Sequence, residues 1–351
     1  MYQAVIAGVG HYVPERIVNN FELEKMMDTS DEWIRERTGI VERRWIADGQ
    51  NNADLAYRAA IKAIESAGLE TQDIDFIIFA TLSNDVFFPG TGCFLGEKLD
   101  LPGIGALDVR NQCSGFLYGL SVADQFIRTG MYKNILLVGS EVQSRGLDFT
   151  TRGRDVAVIF GDGAGAAVIS RSEDGKKGIL ATRLHADGRH AKELWQELPG
   201  SARKPMMSHA IIDEPGIYPY MNGRYVFKHA VTKFPEVIVE ALEAAGLSKN
   251  ELDLVIPHQA NLRITEAVRM KLELTEEKVY SNIQKYGNTT AASIPIAISE
   301  AIEEGRIKEG SLVCLAAFGS GFTWASALVR FYHHVASTRE INIPLTSRPL
   351  C

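Results

Sequence analysis

The chain has 351 residues, 46% hydrophobic and 23% charged, with a formal net charge of −7. That is globular composition with room for one large or two medium cores, and its acidic balance gives no reason to expect a nucleic-acid partner. No apolar run reaches the roughly 18 residues of a membrane span. MYQAVIAGVGHYVPE at the start carries no basic leader. Four cysteines without a CxxC pair speak for a reduced, cytoplasmic protein without a zinc site.

In chain order, the N-terminal stretch reads as a strand and turn. DLAYRAAIKAIESAG (54–68) follows as a helix and DFIIFATL (75–82) as a strand. SGFLYGLSVADQFIRTG (114–130) is a helix, NILLVGSE (134–141) a strand, and DVAVIFGDGAGAAVIS (155–170) another. Residues 188–222 are polar with Pro and Gly, an insertion loop or lid. Beyond it come helices over 233–246, 263–272 and 291–305, a strand over 252–259 and a strand region over 312–331. Several strands are apolar throughout, as strands buried on both faces are. Gly68, Gly130, Gly246 and Gly305 sit where helices stop. The alternation predicts an α/β layered fold. GDGAGAA (161–167) precedes a strand rather than a helix, so it reads as close backbone packing and not a phosphate loop. The adjacent His333-His334 point apart and make no metal pair.

The chain repeats itself. AIESAGLETQDIDFIIFA from Ala63 matches ALEAAGLSKNELDLVIPH from Ala241, a spacing of 178, and Gly130 matches Gly305, a spacing of 175. Two copies of one α/β unit are expected, over about 1–171 and 172–331, with 332–351 as a C-terminal extension. On the second spacing, Cys113 in NQCSGFLYG and Asn288 in YGNTTAAS hold equivalent places, each opening a helix.

A thiol at a helix N-terminus has its thiolate stabilised, which makes it a usable nucleophile. His258, in IPHQAN, ends an apolar strand. Alone, Cys113 reads equally as a packing residue, His258 as a structural histidine and Asn288 as an N-cap. Together they stand at strand ends and helix starts, where α/β proteins place active sites.

The motifs DEWIRERTGI (31–40), DVRNQCSGFLYGL (108–120), IFGDGAGAAV (159–168), VIPHQANLRI (255–264), YGNTTAASIP (286–295) and AAFGSGFTWASALVRF (316–331) resemble those of the β-ketoacyl–acyl-carrier-protein synthase III family. The resemblance implies a thiolase-like fold, two duplicated halves in an αβαβα arrangement. It implies that Cys113 takes an acyl group from an acyl-coenzyme A. His258 and Asn288 then stabilise the enolate formed when malonyl–acyl-carrier protein loses CO2. Backbone N–H groups of Cys113 and of Ser320, within the Gly319-Ser320-Gly321 turn, make the oxyanion hole. By the same resemblance Trp33, Arg37, Arg154, Gly223, Phe227 and Asn261 bind coenzyme A. Phe87, Phe88 and Phe318 shape the acyl pocket, the first two across a dimer, and Arg224, Lys228 and Arg263 receive the acidic carrier protein. No cofactor is needed beyond the thioester substrate, and a homodimer is expected.

Three features depart from the family's usual pattern: Ser320 in place of glycine, the longer 188–222 segment and the tail. Related condensing enzymes of secondary metabolism or long-chain condensation share the Cys-His-Asn set. The olefin-forming ones use a partner-subunit glutamate, and NDVFFPGTG (84–92) has none. A non-catalytic partner subunit would have lost the three residues, and a papain-like hydrolase would carry a different sequence around its cysteine.

Overall fold

The structure is a computed structural model that describes residues 1–173 and 175–332. The extension expected over 332–351 therefore lies, apart from Tyr332, outside the described residues.

The first sheet holds β1 (Ala4–Tyr12), β2 (Phe76–Ala80), β3 (Gly105–Val109), β4 (Asn134–Glu141) and β5 (Gly163–Arg171), in the order β1-β5-β4-β2-β3. β2 is parallel to β3 and β4, and β5 is antiparallel to β1 and β4. The second holds β6 (Ile179–Ala186), β7 (Leu254–Pro257), β8 (Leu312–Gly319) and β9 (Thr323–Arg330), in the order β7-β8-β9-β6. Its pairings repeat the first: β7 is parallel to β8, and β9 is antiparallel to β8 and β6. A single parallel bridge from Val255 to Val279 stands where β3 stands in the first sheet.

Six helices matter for the site: α1 (Asp31–Thr38), α2 (Asn52–Ser66), α3 (Gly115–Arg128), α4 (Gly223–Ala245), α5 (Leu262–Leu272) and α6 (Ser293–Glu303). α2 starts at a capping box between Asn51 and Asp54 and buries an alanine stripe against the outer face of the first sheet. α4 and α5 cover the outer face of the second sheet. α3 and α6 lie between the sheets, giving the αβαβα layering. Their apolar residues, including Phe116, Leu120, Ile294 and Ile298, are fully or almost fully buried. Truncating one of them, as in Leu120→Ala, removes about 2–5 kcal/mol of stability. Gly68, Gly130, Gly246 and Gly305 take left-handed φ at or just beyond the helix ends.

Four differences from the sequence reading have physical causes. Residues 155–160 form a short helix, Arg154–Ala157, and a turn, because a short buried apolar run carries no period to separate helix from strand. α4 begins ten residues before the predicted 233, at an Asn222 cap. β3 went unpredicted because it is a largely exposed edge strand, and β6 because it is only half-buried. Residues 312–331 form the expected strands, two antiparallel ones joined by the Ser320–Phe322 turn.

Candidate active site

Two short 3-10 turns meet between the sheets. Gln112–Ser114 leads into α3 and Thr290–Ala292 into α6. Gln112 (φ 42°) and Thr290 (φ 50°) both adopt the left-handed region, unusual for residues with side chains. They lie at the same spacing as the helix starts Gly115 and Ser293. The equivalent of Cys113 is therefore Ala291, not Asn288 as expected. The Gly130–Gly305 match misleads because α3 has 14 residues and α6 has 11. The second turn is pressed against β4: a Cβ on Gly139 would lie 2.3 Å from the Ala291 carbonyl oxygen.

Cys113 is buried against the end of β8, where a Cβ on Gly319 would lie 2.8 Å from its Sγ. Burial foremost, then the charge of Glu141, pushes the thiol up to about 12; the backbone N–H groups of Cys113 and Ser320, aimed at the sulfur, pull the other way. The resting group is a thiol, contrary to the lowered value expected of a helix N-terminus. The Ser320 hydroxyl donates to the Leu194 carbonyl at 2.5 Å, tying the turn to the 188–222 segment.

His258 follows β7, its backbone N–H on the Ala316 carbonyl. Nδ1 meets the Ser293 hydroxyl at 2.6 Å, while Nε2 is buried without a hydrogen-bond partner among the described residues. Burial pulls its pKa down to about 3, so the ring is neutral. With the Ser293 hydroxyl, which accepts from the Gln259 N–H at 3.4 Å, assigned as the donor to Nδ1, the neutral ring carries its proton on Nε2. The Asn288 Oδ1 accepts from the Thr290 N–H at 2.8 Å, leaving its Nδ2 side for a ligand.

Cys113, His258 and Asn288 all line one narrow cavity of about 120 Å³, with Gly223, Phe227, Asn261 and Phe318. Cys113 also borders a larger cavity of about 770 Å³, walled by Thr81, Ser83, Phe87, Gln112, Gln143 and Ser320 and covered by Trp195 and Leu198 of the 188–222 segment. Phe318, expected in the acyl pocket, stands instead on the His258 side, packed on Phe322, because β8 turns that face toward α4. Phe87 borders the larger cavity with its ring mostly exposed; Phe88 is more exposed still and is not among the residues lining it.

Ser30 caps α1 at the Trp33 N–H. The Arg37 and Arg154 guanidinium groups lie 4.4 and 5.3 Å from the Trp33 ring centroid. Asn261 caps α5 and donates to the Arg37 carbonyl, joining this cluster to the wall of the narrow cavity. Arg224 and Lys228 are exposed on the first turns of α4. Arg263, also exposed, lies 5.7 Å from the Phe227 ring centroid.

Comparison with known proteins now has a geometry to meet. The family profile described as 3-oxoacyl-[acyl-carrier-protein] synthase III matches residues 107–188, and the profile for its C-terminal part matches 242–331. The β-ketoacyl-[acyl-carrier-protein] synthase III of Caldanaerobacter subterraneus subsp. tengcongensis is 47% identical over 328 residues, 93% of this chain and 98% of that protein. The chain belongs to this synthase III family. The Geobacillus kaustophilus synthase III is 48% identical over 328 residues, covering 93% and 99%. The crystal structure of the Aquifex aeolicus synthase III superposes with a TM-score of 0.86 at 45% identity, covering 93% of this chain and all of that one. In this synthase III chain, Glu141, Gln143, Thr290 and Ser293 border or support the site without having been singled out. The available signal for Glu141 was a carboxylate closing an otherwise apolar strand, NILLVGSE.

Proposed function

We propose that this protein joins an acyl-coenzyme A primer to malonyl–acyl-carrier protein through an acyl-cysteine, giving β-ketoacyl–acyl-carrier protein and CO2 and starting fatty-acid chains. What carries the reading, with family membership, is that Cys113, the unpartnered Nε2 of His258 and Asn288 share one narrow cavity.

The primer's thioester carbon is attacked by the Cys113 sulfur. The oxyanion is held by the N–H groups of Cys113 and Ser320, and coenzyme A leaves as the thiol, carrying the proton that Cys113 gives up. Malonyl–acyl-carrier protein then enters. His258 Nε2–H and Asn288 Nδ2 donate to its thioester oxygen. The carboxylate departs as CO2, and its bonding electrons form an enolate that those donors stabilise. The enolate carbon attacks the acyl-Cys113 carbonyl, and the cysteine sulfur leaves as a thiolate that takes a proton from solvent to restore the resting thiol. A neutral His258 fills this role because, with Nδ1 accepting from Ser293, its Nε2 still carries a hydrogen to donate.

Trp33, flanked by Arg37 and Arg154, offers a flat face and positive charge for the adenine and phosphates of coenzyme A. Gly223, Phe227 and Asn261 flank the pantetheine arm. Arg224, Lys228 and Arg263 form a basic approach for the acidic carrier protein. The acyl chain extends into the larger cavity, whose size admits primers longer than acetyl. Exposed Phe87, Phe88 and Leu107, beside the open edge of β3, support a homodimer. The two sheets support halves at 1–171 and 172–331, with 188–222 as a cover over the acyl cavity. Among the described residues no helix is long and apolar enough to cross a membrane, and a cytoplasmic enzyme is the reading.

Intact-mass spectrometry with coenzyme A thioesters from acetyl to dodecanoyl tests this. An acyl adduct on the wild type but not on Cys113→Ala establishes the nucleophile, and the best-loaded chain sizes the cavity. No adduct from folded protein with any thioester overturns the priming step.

A further inference from the structure

Glu141 ends β4 with its side chain fully buried, yet the reaction above makes no use of it. Its carboxylate gathers donors. Ser83 Oγ lies at 2.5 Å, Thr81 Oγ1 at 3.2 Å, the Leu82 N–H at 3.3 Å and Gln143 Nε2 at 3.3 Å. The Ala291 N–H also points at it. The other hydrogen of Gln143 Nε2 goes to Thr290 Oγ1 at 3.0 Å. Thr290, at φ 50°, then aims its own N–H at Asn288 Oδ1. The carboxylate thus holds the second turn through Gln143 at Thr290. A β-branched residue in the left-handed region stays there only when its surroundings over-determine it, and this relay contributes to that.

We propose that Glu141 is a positioning residue for the decarboxylation step, holding through Gln143 and Thr290 the turn that orients the Asn288 amide. The inference rests on the function proposed above. An amide in its place cannot copy the arrangement. If its oxygen takes the side of Ser83, Thr81 and Gln143, its NH2 faces backbone N–H groups, donor against donor.

The test separates the two half-reactions in purified protein: loading of Cys113 by acyl-coenzyme A, followed by mass, and CO2 release from malonyl–acyl-carrier protein. Glu141→Gln is expected to slow CO2 release roughly tenfold to hundredfold, short of the roughly 10²–10³-fold cost of deleting a donor outright. Loading should stay within about threefold. Gln143→Met removes the link, and with it one donor to the carboxylate, while keeping Glu141 itself; it is expected to act in the same direction, so it carries the test if Glu141→Gln fails to fold. In the double variant the losses should not multiply, because one path is broken twice. Unchanged CO2 release in Gln143→Met, or loading and release falling together in folded variants, overturns the proposal. A wild type that loads but releases no CO2 overturns the proposed function instead.

Discussion

The turns at Gln112–Ser114 and Thr290–Ala292 are one structure used twice. Each is a 3-10 turn entered through a left-handed residue, each opens a helix buried between the sheets, and the two abut. Their chemistry differs. In the proposed reaction the first carries the nucleophile. The second has Ala291 in that place, buried against β4, and works through an amide three residues upstream. Duplication supplied two helix starts, and what distinguishes them is which residue faces the cavity. Each left-handed residue costs of order 1–3 kcal/mol, so both halves retain a strained turn at the shared centre. A division of labour between the two turns follows from that proposal: the first presents the thiol that is loaded, the second orients the amide that serves decarboxylation.

The largest effect that would break this division comes from the nucleophile. Cys113→Ala should reduce loading by roughly 10³-fold or more, the scale of removing a reacting group. Adding Ala291→Cys to it should restore nothing, since position 291 packs against β4 and Glu141; an adduct there by mass would show the turns to be interchangeable. Next, Asn288→Ala should slow CO2 release by roughly 10²–10³-fold with loading within about threefold, both read on the same protein. An equal loss in both steps would erase the division.

The pH profile sharpens it further. Burial and then Glu141 raise the Cys113 pKa to about 12, so below that the thiolate fraction grows with pH. Loading at subsaturating thioester should rise roughly tenfold per pH unit from pH 6 to 9. Burial raises Glu141 itself to about 7, so it carries its charge mainly in the upper part of this range; Glu141→Gln should speed loading there by no more than about threefold and leave it unchanged near pH 6. His258, pulled down to about 3, adds no acid limb in that range. A plateau near pH 7 would mean that bound substrate activates the thiol. The smallest effect is expected from Trp33→Ala. Loss of this half-buried ring between Arg37 and Arg154 should raise the KM for acyl-coenzyme A about two- to fivefold, leaving CO2 release from malonyl–acyl-carrier protein unchanged.

Much of this was legible because the chain is strongly patterned. The apolar strands 75–82 and 134–141, the helices around 54–68 and 114–130, and the internal repeat all mark buried layers directly. Cys113, His258 and Asn288 were readable from their motifs and do share a cavity. Less legible were elements whose pattern is set by what they do not bury: β3 on an open edge, β6 half-covered, and the first ten residues of α4. The direction of the Cys113 shift was misjudged because a helix terminus can be seen in a sequence, whereas full burial and a carboxylate from another strand cannot. That Phe318 lines the narrow cavity and not the larger one was hidden for a related reason, since the face of a strand buried on both sides is fixed only by what packs against it.

β8 ends on Gly319, and the space where a side chain would stand is the space the thiol fills. A single added carbon would sit 2.6 Å from Cys113 Cβ. In terms of mutational tolerance, neighbouring codons then answer to different rules. Position 319 has one acceptable letter, because even alanine displaces the sulfur. In the proposed reaction position 320 serves through its peptide N–H, which almost any residue supplies, while its hydroxyl bonds to the Leu194 carbonyl. That explains how a serine can stand in a turn where glycine is usual without touching the chemistry. It also places the freedom to vary this enzyme on the side of the turn that faces the 188–222 segment.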